Sequence, residues 1–208
     1  MMATSPVESL SSGFILNIEL FFITLLLALP LGLVITFCSM SKFKPLKWLS
    51  RTFVWIIRGT PLMLQLFVVL YVPGLLFAMP ISSRFTAAVI AFVINYAAYF
   101  AEIYRSGIES IPKGQYEAAS VLGYNKNQTF FRIIFPQMVK RVLPPVTNEV
   151  ITLVKDTSLA FVLAYEEMFT VAKQIASART SIMPLFVAGV FYFIFNGCLL
   201  YTSDAADE

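Results

Sequence analysis

Four polar side chains lie within or beside strongly apolar stretches of the sequence: Gln65, Asn95, Asn148 and Glu149. Amide and carboxyl groups at membrane depth are costly to bury, so they usually face a cavity or a polar partner. The chemistry available to them is the binding of a polar or charged solute through hydrogen bonds and charge. We predict that these four side chains are candidates to line the path of a solute. Hydrogen bonding between subunits, without substrate contact, is the open alternative.

Several kinds of chemistry are disfavoured by what the sequence lacks. It contains no histidine, which removes His-based acid–base catalysis and His-ligated metals. The two cysteines, Cys38 and Cys198, are far apart within apolar runs and are best explained as small apolar residues. We therefore predict no catalytic residue, no metal site and no cofactor.

The composition is that of a membrane protein. Hydrophobic residues make up 58% of the 208 residues and charged residues only 13%, about half the usual share in soluble domains. Because a helix needs about 20 apolar residues to cross a bilayer, we predict an all-α, polytopic fold with a single transmembrane domain at 13–201. The five predicted spans are 13–40, 59–79, 85–104, 139–164 and 183–201. We expect the first to be retained rather than cleaved as a signal peptide.

The basic residues predict the orientation of these spans. Eleven of the fifteen Lys and Arg residues lie in two segments, 42–58 between spans one and two, and 105–141 from the end of span three to the start of span four. Basic loops stay in the cytoplasm, and in a five-span topology both segments fall on the same side. The prediction is an N-terminus outside and a C-terminus inside.

Residues 111–136, between spans three and four, are polar and predict a cytoplasmic hairpin of two short amphipathic helices. Gly123 suits the left-handed position that ends a helix, and Pro136 is expected to break the second helix before span four. Such a hairpin could simply lie on the membrane surface. It could equally be a docking site for another protein, and the residue pattern alone does not separate the two interpretations.

Three motifs in this order resemble a known family. The sequence has "RGTPLMLQLF" at 58–67, then Glu117-Ala118-Ala119 with Gly123 six positions after the glutamate, and then "LPPVTNEVITLVKDTSLAFVLAYEEM" at 143–168. Together they resemble the permease subunits of bacterial ATP-binding-cassette (ABC) importers, specifically the polar amino acid uptake family with its EAA motif. The resemblance covers about residues 13 to 197.

The resemblance implies a type I ABC importer fold, with the hairpin as the coupling helix that docks on a cytoplasmic ATP-binding subunit. It implies that Glu117, Ala118, Ala119 and Gly123 make this ATPase contact, and that span four lines the path. Further partners are a second permease subunit, an extracytoplasmic amino-acid-binding protein and membrane lipid. Because the sequence lacks a GxxxxGK[ST] phosphate loop, we expect ATP hydrolysis in the partner and no enzyme activity here.

Other function classes have less support. A self-sufficient secondary transporter would show repeated halves with interrupted helices, and no internal repeat is evident. A membrane-embedded enzyme lacks a candidate site, and a scaffold would not explain the hairpin. The acidic tail at 202–208 lacks the basic C-terminal stretch that is usual in the family. We therefore expect the tail to be truncated or non-native.

Overall fold

The computed structural model describes residues 6–207, with side chains for 8–202, and this part of the chain is helical without a β-strand. The all-α prediction is confirmed. A π-helical turn at Phe130–Ile134 and a 3-10 helix at Thr157–Leu163 flank α7. The helices are α1 Pro6–Ser39, α2 Lys44–Arg58, α3 Leu62–Phe77, α4 Arg84–Glu109, α5 Lys113–Val121, α6 Lys126–Thr129, α7 Phe135–Asp156, α8 Met168–Arg179 and α9 Met183–Asp207.

Helix α4 lies at the centre of the bundle and packs most extensively against α1. Its alanines let neighbouring backbones come close. The fully buried aromatic side chains of α4 are Phe92, Tyr96 and Phe100. They fill the space between α1, α3 and α7, and so fix the position of the polar groups that α4 carries.

At Gly32, helix α1 comes very close to α4. A Cβ atom built on Gly32 would lie 2.8 Å from the Cβ of Phe100 and 3.0 Å from the carbonyl oxygen of Ala97. One turn further on, the hydroxyl of Thr36 donates to the carbonyl oxygen of Ala101 at 3.0 Å. A side chain at position 32 would force these two helices apart.

We therefore expect Gly32→Ala to destabilise the fold, by about 1–3 kcal/mol, the usual cost of overpacking a core. Gly189→Ala is the matched control, because a Cβ there would meet no atom within 4 Å. Thermal unfolding of the detergent-solubilised protein is the measurement. Equal melting temperatures for the two variants would contradict the close α1–α4 contact.

Among the residues that the structure describes, three helical stretches are long and apolar enough to cross a membrane: Glu8–Ser39, Arg84–Glu109 and Met183–Thr202. Helices α2 and α3 together make a fourth candidate, but they are bent by 110° at the break between them. Helix α7 is long enough to cross a membrane, but its several charged residues make it less apolar than these candidate spans. The division into five spans stays a prediction.

The start of α7 corrects one expectation. Pro136 does not break the second helix of the hairpin, since the chain stays helical from Lys126 through Asp156. The π-helical turn widens the helix just before Pro136 and lets the proline ring avoid the preceding turn. In the predicted tail at 202–208, the backbone as far as Asp207 continues helix α9. Glu208 and the side chains of 203–207 lie outside the described residues.

Candidate functional site

A polar cavity of about 300 Å³ lies between the α2–α3 connector, the middle of α4 and the second half of α7. Its size is in the range of small-molecule sites. The described residues that line it include two carboxylates and no Lys or Arg. They are Thr60, Pro61, Leu62, Asn95, Tyr96, Tyr99, Glu149, Thr152 and Asp156.

The four path candidates predicted from the sequence are placed differently. Asn95 and Glu149 line the cavity. Gln65 lies behind it and accepts a hydrogen bond from the Asn95 amide at 3.0 Å. Asn148 is exposed on another side of α7 and does not line this cavity.

Gln65 also holds the connector in place. Its amide nitrogen donates to the carbonyl oxygen of Ile57 at 2.8 Å and to the hydroxyl of Thr60 at 2.9 Å. The connector contains Thr60 and Pro61 of the motif at 58–67. The structure adds that Thr60 and Pro61 form one wall of the cavity.

The two carboxylates of the cavity come from one face of α7. Glu149, Thr152 and Asp156 are spaced i, i+3, i+7, which aligns them along a helix. The phenol hydroxyl of Tyr96 donates to the Asp156 carboxylate at 2.8 Å. In the described part of the chain Glu149 makes no ion pair or hydrogen bond through its carboxylate, so this group is available to a ligand.

Sequence reasoning missed Tyr96, Tyr99 and Thr60 as cavity residues and did not choose Asp156. One signal was present: the spacing of Glu149 and Asp156 puts both on one helical face. The roles of Tyr96 and Tyr99 depend on α4 packing against α7, which the sequence of either helix does not reveal.

A second polar cluster lies at the end of α4 where the basic segments meet. Arg105 contacts Glu102 and Glu109, and Arg58 lies 3.8 Å from Glu102. The guanidinium carbon of Arg58 is also 5.3 Å from the centre of the Tyr99 ring. Glu102 is therefore a structural partner of both Arg105 and Arg58, and Arg58 links this cluster to the wall of the cavity.

A third cluster joins α1, α8 and α9 around the fully buried Glu167. Its carboxylate caps α8 by accepting from the backbone N–H groups of Phe169 and Thr170, each at 2.7 Å. Asn17 donates to Glu167 at 3.3 Å and to the Tyr192 hydroxyl at 3.0 Å. Glu167 was not among the residues predicted from the sequence.

We expect Glu167→Ala to destabilise the protein, because it removes a helix cap and leaves buried donors without an acceptor. Each of these losses typically costs about 1–3 kcal/mol. The neighbouring Glu166 is exposed, so Glu166→Ala is the control. Thermal unfolding in detergent should separate the two variants by several degrees. A Glu167→Ala protein as stable as the control would show that the cluster adds nothing to stability.

The predicted hairpin forms as α5, a turn and α6. Gly123 has a φ of +78°, a conformation that favours glycine. Asn125 then caps α6, with its side chain accepting from the Gln128 N–H at 2.9 Å and its own N–H donating to the Gln128 side chain at 3.0 Å. These local bonds make the turn a defined structure, as the sequence predicted for Gly123 and the polar segment after it.

The residues predicted to contact the ATPase subunit differ in their exposure to solvent. Glu117, Ala118 and Gly123 are exposed, whereas Ala119 is buried. Val121 and Leu122 beside them are 88% and 73% exposed. The tip of the hairpin therefore presents a carboxylate and an apolar surface together, while Ala119 faces the protein.

The hairpin is fastened at its base to α4 and α7. Arg141 of α7 donates to the hydroxyl of Ser110 at 2.9 Å, and Gln137 donates to Gln115 of α5 at 3.3 Å. Gly107 fits against Val142 so closely that an added Cβ would lie 2.2 Å from its Cγ2. A force on the hairpin would thus reach both helices that line the cavity.

A family model matches residues 28–205, most of the chain, and describes a binding-protein-dependent transport system inner membrane component. The chain belongs to this family. It is a multi-pass protein of the inner membrane. The family predicted from the sequence, ABC importer permeases for amino acids, is confirmed, and ATP hydrolysis in such importers belongs to a separate ATPase subunit.

Curated relatives agree with this assignment. The L-cystine transport system permease protein TcyB of Bacillus subtilis (strain 168) is 37% identical over 88% of this chain and 78% of its own length. The arginine transport system permease protein ArtQ of the same organism is 33% identical over 99% of this chain and 94% of its own length. The nopaline transport system permease protein NocM of Agrobacterium fabrum is 37% identical over 85% of this chain and 77% of its length.

Solved structures confirm the type I ABC importer fold. A chain from an amino acid ABC transporter crystallised with histidines superposes with a TM-score of 0.88 at 32% identity, covering 97% of this chain and 94% of the other. A chain from the inward-facing MetNI methionine ABC transporter gives a TM-score of 0.67 over 97% of this chain and 94% of the other. At 17% identity, the second likeness concerns the fold alone.

Proposed function

We propose that this chain forms part of the path by which an ATP-driven importer carries a polar or charged amino acid, with the cavity as a solute contact. The observation that carries the proposal is that Glu149 and Asp156 both lie on one wall of a cavity that no Lys or Arg in the described part of the chain lines. Two carboxylates beside amide and hydroxyl groups suit the positively charged amino group that amino acids share. Relatives named for arginine and nopaline transport support this substrate class.

Coupling to ATP hydrolysis is assigned to the hairpin. The exposed Glu117, Ala118 and Gly123 form the face for a cytoplasmic ATP-binding subunit, and Ala119 anchors that face from behind. The contacts of Arg141 and Gln137 at the hairpin base support transmission of movement as a near rigid body. This arrangement places no ATP chemistry in the chain itself.

Two further partners complete the proposed importer. A second permease subunit, identical or paralogous, would close the path, because the polar Asn148 is exposed on α7 and a polar group at membrane depth usually faces a cavity or a partner. An extracytoplasmic binding protein would deliver the amino acid, in keeping with the family description. The proposed orientation has the N-terminus outside and the basic segments, the hairpin and the C-terminus in the cytoplasm.

The test is reconstitution of the chain with its ATPase and binding protein in vesicles. Uptake of labelled cationic, amide, acidic and disulfide-linked amino acids is measured with and without ATP inside. The proposal predicts ATP-dependent uptake of at least one of these amino acids. Competition by unlabelled amino acids then identifies the class of substrate. Uptake that persists without the ATPase would instead support the alternative of a self-sufficient secondary transporter.

A further inference from the structure

Helix α2 contacts the rest of the protein through one face only. Ser50 and Val54 are buried against α1 and α4. On the faces turned away, Trp48, Leu49 and Trp55 are 70%, 62% and 75% exposed. Exposed aromatic and apolar surface of this extent marks a contact with a membrane or a partner.

The direction of α2 suits a helix that lies on the membrane rather than across it. Helices α2 and α3 meet at a bend of 110°. When α3 crosses the bilayer, α2 is therefore close to the membrane plane. Amphipathic helices in this position bury their apolar side at the level of the lipid headgroups.

The charges of α2 all have one sign and lie along one stripe. Lys44, Lys47, Arg51 and Arg58 follow one another at i, i+3, i+7 and i+14, and the helix contains no Asp or Glu. Trp48 and Trp55, seven residues apart, lie beside this stripe. Tryptophan at the boundary between a basic and an apolar face is typical of side chains at the headgroup level.

A recess of about 240 Å³ opens beside this stripe, between α2, the end of α1 and α4. Three arginines line it, Arg51, Arg58 and Arg105, against one carboxylate, that of Glu102. The distances of 3.7 Å from Arg51 to Glu109 and 3.8 Å from Arg58 to Glu102 leave guanidinium N–H groups for a further anion. Trp55 forms part of the wall.

From these observations we infer that α2 and the recess bind the phosphate headgroup of anionic phospholipids, in the leaflet that faces the basic segments. The apolar side of α2 lies among the acyl chains, and the lysines and arginines take the headgroup charge. Under the proposed orientation this is the cytoplasmic leaflet. The inference does not depend on the coupling or the substrate proposed above.

The sequence provides its own probe, because Trp48 and Trp55 are its two tryptophans and both lie on α2. The full-length chain is placed in phosphatidylcholine nanodiscs containing a small, fixed fraction of either brominated phosphatidylglycerol or brominated phosphatidylcholine. Bromine quenches tryptophan fluorescence on contact, so the ratio of the two quenching values reports headgroup preference at α2. We expect stronger quenching by the anionic lipid.

Two variants test the source of the preference: Lys44→Gln with Lys47→Gln for the stripe, and Arg51→Gln for the recess. Each charge near an anionic surface changes lipid binding by about fivefold, so both variants should lower the ratio towards one. Lys126→Gln with Arg132→Gln, in the other basic segment, is the matched control and should keep the ratio of the unmodified protein. An unchanged emission maximum in plain phosphatidylcholine shows that α2 remains folded in each variant.

Three results would overturn the inference. Equal quenching by both lipids in the unmodified protein would place α2 in the bilayer without headgroup selection. Absence of quenching by either lipid would show that protein, such as a second subunit, covers α2. A preference that survives both α2 variants would place the anionic site elsewhere on the chain.

Discussion

Glu149→Gln is expected to lower ATP-dependent amino acid uptake by about tenfold or more, the effect of losing one charge-assisted hydrogen bond to a cationic group. The substitution keeps the size of the side chain and removes its charge. Glu149 lines the cavity and has no protein partner for its carboxylate among the described residues. Removing its charge should therefore weaken ligand binding and leave the stability of the fold unchanged.

The measurement is initial uptake over a range of substrate concentrations in reconstituted vesicles. Glu166→Gln is the matched control, because Glu166 is exposed and lies outside the cavity. ATPase binding should be equal in both variants, which separates a solute-path defect from failed assembly. Full uptake in Glu149→Gln would remove this residue from the path and leave the hairpin assignment untouched.

Gly123→Val is expected to abolish co-purification of the ATPase subunit while the chain still inserts in the membrane. The φ of +78° at Gly123 costs about 1–2 kcal/mol for a residue with a side chain, and more for a β-branched one. Valine therefore opens the turn and displaces the tip of the hairpin with Glu117 and Leu122. No neighbouring atom lies within 4 Å of the added Cβ, so the effect is one of backbone conformation and not of crowding.

Gly114→Val in the same hairpin is the matched control for that experiment. Gly114 lies in the first turn of α5, is not among the glycines with positive φ, and has open space around its Cβ position. Detergent extraction followed by affinity purification should retain the ATPase with Gly114→Val and lose it with Gly123→Val. Equal retention in both would mean that the conformation at Gly123 does not matter for docking.

Much of the fold could be predicted because its determinants are local. Apolar runs of sufficient length identify helices whatever their neighbours, and so the all-α fold and the apolar helices α1, α4 and α9 follow from composition. Gly123 could be assigned to a helix end because the left-handed conformation strongly favours one residue type. The expectation that Pro136 ends a helix was wrong, because a π-helical turn accommodates the proline. No residue type in the sequence indicates such a turn.

The candidate cavity was only half predictable. Asn95 and Glu149 could be chosen because a polar group in an apolar run is costly and therefore informative. Gln65 was chosen for the same reason but supports the α2–α3 connector instead. Tyr96 was not chosen, because a tyrosine is unremarkable in a membrane helix until its hydroxyl is seen 2.8 Å from Asp156.

The linear sequence was enough to show that this chain is a helical membrane protein, and its ordered motifs identified the importer permease family. Apolar length, basic loops and motif spacing are properties of a linear chain, so they can be read without coordinates. The tertiary structure was needed to see which polar groups meet: Asp156 with Tyr96, Glu167 with Asn17, and Arg58 with Glu102. Those contacts join residues far apart in the chain, and the packing of whole helices sets them.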